Sequence, residues 1–130
     1  MPRLGPFSLL VRDYDEAIDW YTRVLGFRLL VDDDQGHKRW VVVESDSGGS
    51  LDLARAKNAS EQARIGDQHG GRIGFFLEVE AFDEARQRLL GLGVEFEEDP
   101  RLEPYGKVAV FRDLYGNRWD LIGPSQGGRT

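Results

Sequence analysis

The sequence predicts an α+β fold of two tandem βαβββ modules, and three observations carry that prediction. The chain repeats itself: shifted by 68 residues, Phe7, Leu9 and Val11 fall on Phe75, Leu77 and Val79, and Asp15-Glu16-Ala17 falls on Asp83-Glu84-Ala85. In the same register Val42 meets Val110, Gly48 meets Gly116, and Leu51-Asp52-Leu53 meets Trp119-Asp120-Leu121. Each half then reads as one strand, one helix and three further strands, with turn-forming residues between them. One residue is lost in the middle, since Leu25-Gly26-Phe27 matches Leu92-Gly93-Val94 at a shift of 67.

The first module spans residues 6–54. Residues 7–11 are rich in aromatic and aliphatic side chains and read as a strand. Ala17, Trp20, Tyr21, Val24 and Leu25 recur at helical spacing, which gives the next segment one apolar face. Asp13 with Glu16 three residues later forms a capping box, and Gly26 stands where a left-handed residue ends the helix. Strands follow at about 27–31, 39–44 and 50–54, separated by DDDQG and DSGG. Residues 55–72 are a polar linker with one short helix after Ser60. The second module, 73–124, repeats the order: a strand at 73–79, a helix at 82–91 and strands at 94–97, 107–112 and 118–122. Ala85, Leu89 and Leu92 mark that helix, and Gly93 ends it. The loops run from Pro100 to Pro104 and from Asp113 to Asn117. The two modules are expected to form one domain over 1–130.

Composition excludes several classes. The chain is 40% hydrophobic and 31% charged, an ordinary soluble globular balance. No apolar run approaches the ~18 residues of a membrane span, and the N-terminal apolar stretch is too short for a signal peptide. A cytoplasmic location without membrane partners is the expectation. A net charge of −6 with no run of Lys or Arg argues against nucleic acid, whose phosphates demand a basic footprint. With no cysteine, disulfides, thiolate metal sites and cysteine nucleophiles are excluded. No phosphate-binding glycine loop or Ser–His–Asp order supports hydride transfer or covalent catalysis.

The segments VRDYDEAIDWYTRVLGF (11–27) and FRDLYGNRWDL (111–121), on paired βαβββ modules, resemble the vicinal oxygen chelate superfamily. That group includes glyoxalase I, extradiol dioxygenases, and the bleomycin- and fosfomycin-resistance proteins. The resemblance covers roughly residues 6–124. It implies open, barrel-like mixed sheets around a cavity, a small-molecule ligand, and a homodimer that covers the open sheets. It further implies metal ligands at the start of the first strand and in the last strand of each module. Those positions here are Pro6 and Gly74, which offer no side-chain donor, and Asp52 and Asp120, which keep an oxygen.

Strand parity puts Ser8 on the face of position 6, and Phe76 and Glu78 on the face of position 74. Asp52, Asp120 and Glu78, with Phe76, Ser8, Tyr105 and Trp40, are therefore the candidate ligand-binding residues. His37 and His69 are the only histidines, and both lie in glycine-flanked loops. His69, just before the strand of Gly74, is the better placed to fold toward the groove. Asp113, Gly116 and Asn117 read as turn chemistry. Without imidazoles at positions 6 and 74, the residues favour a ligand-binding protein of the resistance type that needs no cofactor. The alternative is a lyase, isomerase or dioxygenase dependent on a divalent metal (Mg, Mn, Zn or Ni).

Overall fold

The computed structural model describes residues 1–125, which fall into two compact units, residues 1–65 and the part from Gly66 onward. The first unit contains β1 (Phe7–Val11), α1 (Tyr14–Arg23), β2 (Arg28–Asp34), β3 (Arg39–Glu44), β4 (Ser50–Arg55) and α2 (Ala59–Gln62). The second contains β5 (Phe75–Glu78), α3 (Phe82–Gly91), β6 (Arg101–Glu103), β7 (Gly106–Arg112) and β8 (Arg118–Gly123). Each unit has one open four-stranded mixed sheet, in the orders β1-β4-β3-β2 and β5-β8-β7-β6. Among the described residues the only parallel pairs are β1 with β4 and β5 with β8. This is the α+β architecture the repeat predicts.

Local chemistry explains the elements. Asp13 caps α1, its carboxylate accepting from the Glu16 amide at 2.9 Å. Glu16 in turn accepts from Arg12. Gly26 holds φ at +76°, and the amide of Phe27 donates back to the Tyr21 carbonyl, which closes the helix as the sequence implies. Ala17 and Tyr21 on α1, with Val24 at its C-cap, are buried with Leu9, Val11, Val41, Val43 and Leu53, the alternate residues of the strands. In the second unit the core is aromatic. Phe75 stacks on Trp119 with centroids 4.7 Å apart, Trp119 lies 5.8 Å from Phe111, and Phe111 lies 5.6 Å from Phe96.

Several boundaries differ from the sequence reading, β5 being shorter than the expected 73–79, and three of the differences have a clear local cause. β2 starts at Arg28 and takes in Asp32–Asp34, three residues that strands usually disfavour. Arg39, from the facing strand, donates Nε and Nη2 to the two Asp32 oxygens at 2.8 and 2.9 Å, a bidentate pair that stabilises this end. The linker helix starts at Ala59, one residue before Ser60, because Asn58 caps it by accepting from the Glu61 amide at 2.8 Å.

The third difference is at the edge of the second sheet. Residues 94–97 make only a bridge between Phe96 and Phe111, and the edge strand proper is β6, inside the expected Pro100–Pro104 loop. The edge is interrupted at 98–100, where Pro100 has no N–H to offer. There the Glu98 carboxylate accepts from the Val110 amide at 3.1 Å. Beyond the break, β6 pairs with the start of β7.

Candidate functional site

On the first sheet, β1 and β4 bring Ser8 opposite Asp52, and the Ser8 hydroxyl donates to Asp52 Oδ2 at 3.1 Å. Partial burial pushes the Asp52 carboxyl above its usual range, and the hydroxyl opposes that shift. Asp52 also pairs with Val42, and Trp40 lies two residues from Val42, so period two puts Trp40 on the same face. Its indole is 41% exposed. Leu9, Val11 and Leu53 occupy the opposite, buried side.

The second sheet repeats this arrangement with different chemistry. Phe76 and Val110 flank Asp120 in register, as Ser8 and Val42 flank Asp52. Phe76 is 61% exposed, whereas Asp120 is only 6% exposed. Its Oδ1 is buried with no hydrogen-bond partner among the described residues. Burial pushes the Asp120 carboxyl up; Arg101 and Arg118 pull it back, while Glu98 and Glu103 push it further up. The two guanidiniums are bound elsewhere: Arg101 to Glu98 and Glu103, and Arg118 to Glu97. Asp120 makes no ion pair among the described residues.

Glu78 is exposed on the same face, opposite Ile122. Tyr105 is 64% exposed in the two-residue turn between β6 and β7. The sequence reading missed Glu98 and Arg101, which surround Asp120 from a segment it assigned partly to a loop.

The loop before β5 folds back. A Cβ on Gly74 would stand 2.2 Å from His69 Nδ1, so the imidazole occupies the space a side chain at 74 would fill. The ring meets Phe75 edge-on at 5.0 Å. His37 lies apart, lining a cavity on the first unit. Asp113 and Asn117 are structural, as their turn chemistry implied. Asp113 accepts from the amides of Tyr115 and Asn117, from Asn117 Nδ2 and from Trp119 Nε1, all within 2.9–3.3 Å.

Residues 3–121 match the model of the glyoxalase/bleomycin resistance protein/dioxygenase superfamily. The chain belongs to that superfamily. An uncharacterized protein from Shewanella frigidimarina is 46% identical over 119 residues, 88% of either chain. Among solved structures, UcmS2 is 31% identical with a TM-score of 0.78, the match covering 94% of this chain and 98% of that one. TnmS3, an antibiotic binding protein from Streptomyces sp. CB03234, is 30% identical with a TM-score of 0.77, covering 96% and 98%.

The metal implied by the superfamily does not fit the donors of this member. Pro6 and Gly74 supply none, Asp52 is engaged by Ser8, and His69 adds a single imidazole beside Gly74. Among the described residues no three His, Cys, Asp or Glu side chains gather into a group able to hold a metal ion. No helix among them is long and apolar enough to cross a membrane.

Proposed function

We propose that this superfamily member is a binding protein for a small organic ligand carrying a hydrogen-bond donor or a cation beside an aromatic or apolar body. On the second unit the reading has Asp120 accept from the ligand's donor and Phe76 hold the body, with Asp52 and Trp40 the matching pair on the first unit, and it needs no histidine-based metal centre. One observation carries it: a buried carboxylate oxygen without a partner lies beside a largely exposed phenylalanine. Leaving such an oxygen unpaired costs on the order of 1–3 kcal/mol, a cost that a ligand donor would remove. The antibiotic-binding relative TnmS3, similar along nearly the whole chain, supports the same class of ligand.

Calorimetric titration with bleomycin and doxorubicin, each with and without EDTA, tests the reading. At least one is expected to bind equally well in EDTA, and about tenfold or more weakly to Asp120→Asn and Phe76→Ala. Binding that vanishes in EDTA, or that ignores both substitutions, would sink it.

The reading includes a homodimer. Two of the four sheet edges are poor templates for adding a strand: β2 ends in three aspartates and carries a bulge, and β6 is three residues long between two prolines. Association through sheet faces is therefore the expected route. Light scattering at micromolar concentration should give twice the chain mass; a single-chain mass would refute the dimer.

A further inference from the structure

The first unit carries a concavity of about 370 Å³, lined by Tyr14, Asp34, Gly36, His37, Lys38, Arg39, Arg55 and Lys57. Its cations come from four places: the β2–β3 turn, the start of β3, the end of β4, and the segment after β4. Arg39 and Arg55 share strand parity with Val41, Val43 and Leu53, the residues buried with α1, so they lie on the other side of the sheet from Ser8 and Asp52.

The cations differ in how they are held. Arg39 is fixed by Asp32 and by Asp15, the latter accepting at 3.0 Å, and these bonds keep its guanidinium charged. Arg55 has a shelf: its guanidinium carbon lies 5.8 Å from the centroid of the Tyr14 ring, with that of Arg39 at 5.2 Å. Tyr14 is itself tied down, donating its hydroxyl to the Arg39 carbonyl at 3.3 Å. Among the described residues the side chains of Lys38, Arg55 and Lys57 have no carboxylate partner.

Of the carboxylates nearby, Asp34 lines the cavity and accepts from the Gly36 amide, Asp15 and Asp32 face Arg39, and Glu61 accepts from the Lys57 amide at 3.0 Å. The lining itself thus carries four full cations and one carboxylate. In a chain of net charge −6, that local excess runs against the global balance.

We propose that this cavity binds a small, multiply charged oxyanion, with Arg55, Lys57 and Lys38 as its direct partners. Arg55 offers a pre-positioned guanidinium fork, and the two lysines supply ammonium donors that turn to meet the remaining oxygens. The volume exceeds what a lone phosphate fills, which suits an oxyanion attached to a larger body. The chemistry is shared by phosphate esters and polycarboxylates.

The test is calorimetric titration of the whole protein with inorganic pyrophosphate and, separately, citrate, at low ionic strength against sodium chloride of equal ionic strength. At least one anion is expected to bind above the chloride control. Binding should weaken about tenfold or more in Arg55→Ala/Lys57→Ala and stay within about threefold in Arg55→Lys/Lys57→Arg, which keeps both charges. A response to pyrophosphate alone assigns the site to phosphates, and one to citrate alone to carboxylates. Melting temperatures without anion verify that the variants fold. The proposal is overturned if neither anion binds, if the alanine pair binds like the parent, or if Lys107→Gln on the other unit weakens binding as much.

Discussion

Replacing Asp113 with alanine is expected to destabilise the protein by about 3 kcal/mol or more, the largest loss at any position outside the apolar core. Asp113 is 6% exposed and sits where the chain turns from β7 into β8. Its two oxygens take donors from three residues: the Tyr115 amide at 3.0 Å, both nitrogens of Asn117, and Trp119 Nε1 at 2.9 Å. Asn117 and Trp119 are 4% and 3% exposed, so water cannot readily replace the lost acceptor. Alanine would leave several buried donors unpaired at once and release the indole that stacks between Phe75 and Phe111. Urea denaturation monitored by tryptophan fluorescence measures the loss. Asp113→Asn keeps one acceptor oxygen and should lose roughly half as much. A loss below about 1 kcal/mol for alanine would mean that the turn, and not its carboxylate, orders this end of the sheet.

That turn also shows how far the sequence could be read. Asp, Gly and Asn in DLYGN announce a turn because each has a local backbone role. The bond from Trp119 to Asp113 was not legible, since it depends on how β8 leaves the turn. The repeat was legible because identical spacing must give identical pairing; Ser8, Asp52 and Val42 and then Phe76, Asp120 and Val110 occupy matching registers. The edge strand failed for a physical reason. Residues 94–97 have strand-forming side chains, but the break at Glu98–Pro100 moves most of the pairing to Arg101–Glu103, which reads as loop. His69 could be suspected from its place before Gly74, though only the folded loop brings its ring over that glycine. The basic cavity was invisible: residues 38, 39, 55 and 57 make no charge run, and only the pairing of β3 with β4 gathers them.

Asp120→Asn is expected to change stability in the opposite direction, raising Tm at neutral pH. Burial holds the folded carboxyl above its ordinary value of 3.8, so the folded protein retains a proton that the unfolded chain releases. Above the folded pKa the ionised group therefore counts against folding. As pH falls through that value the cost fades, and below the unfolded value it is gone. Asparagine does not ionise, so the gain of the variant should be greatest at neutral pH and shrink to nothing below about pH 4, as paired thermal melts across that range would show. Asp52, also pushed up by burial, gives a smaller effect of the same sign because Ser8 already donates to it. A carboxylate kept for structure behaves like Asp113, where removal lowers stability. A carboxylate kept for a ligand costs stability when empty, and its removal should raise Tm while weakening ligand binding. Both changes in one variant would separate a binding role for Asp120 from a structural one; a fall in Tm at pH 7 would place it with Asp113 instead.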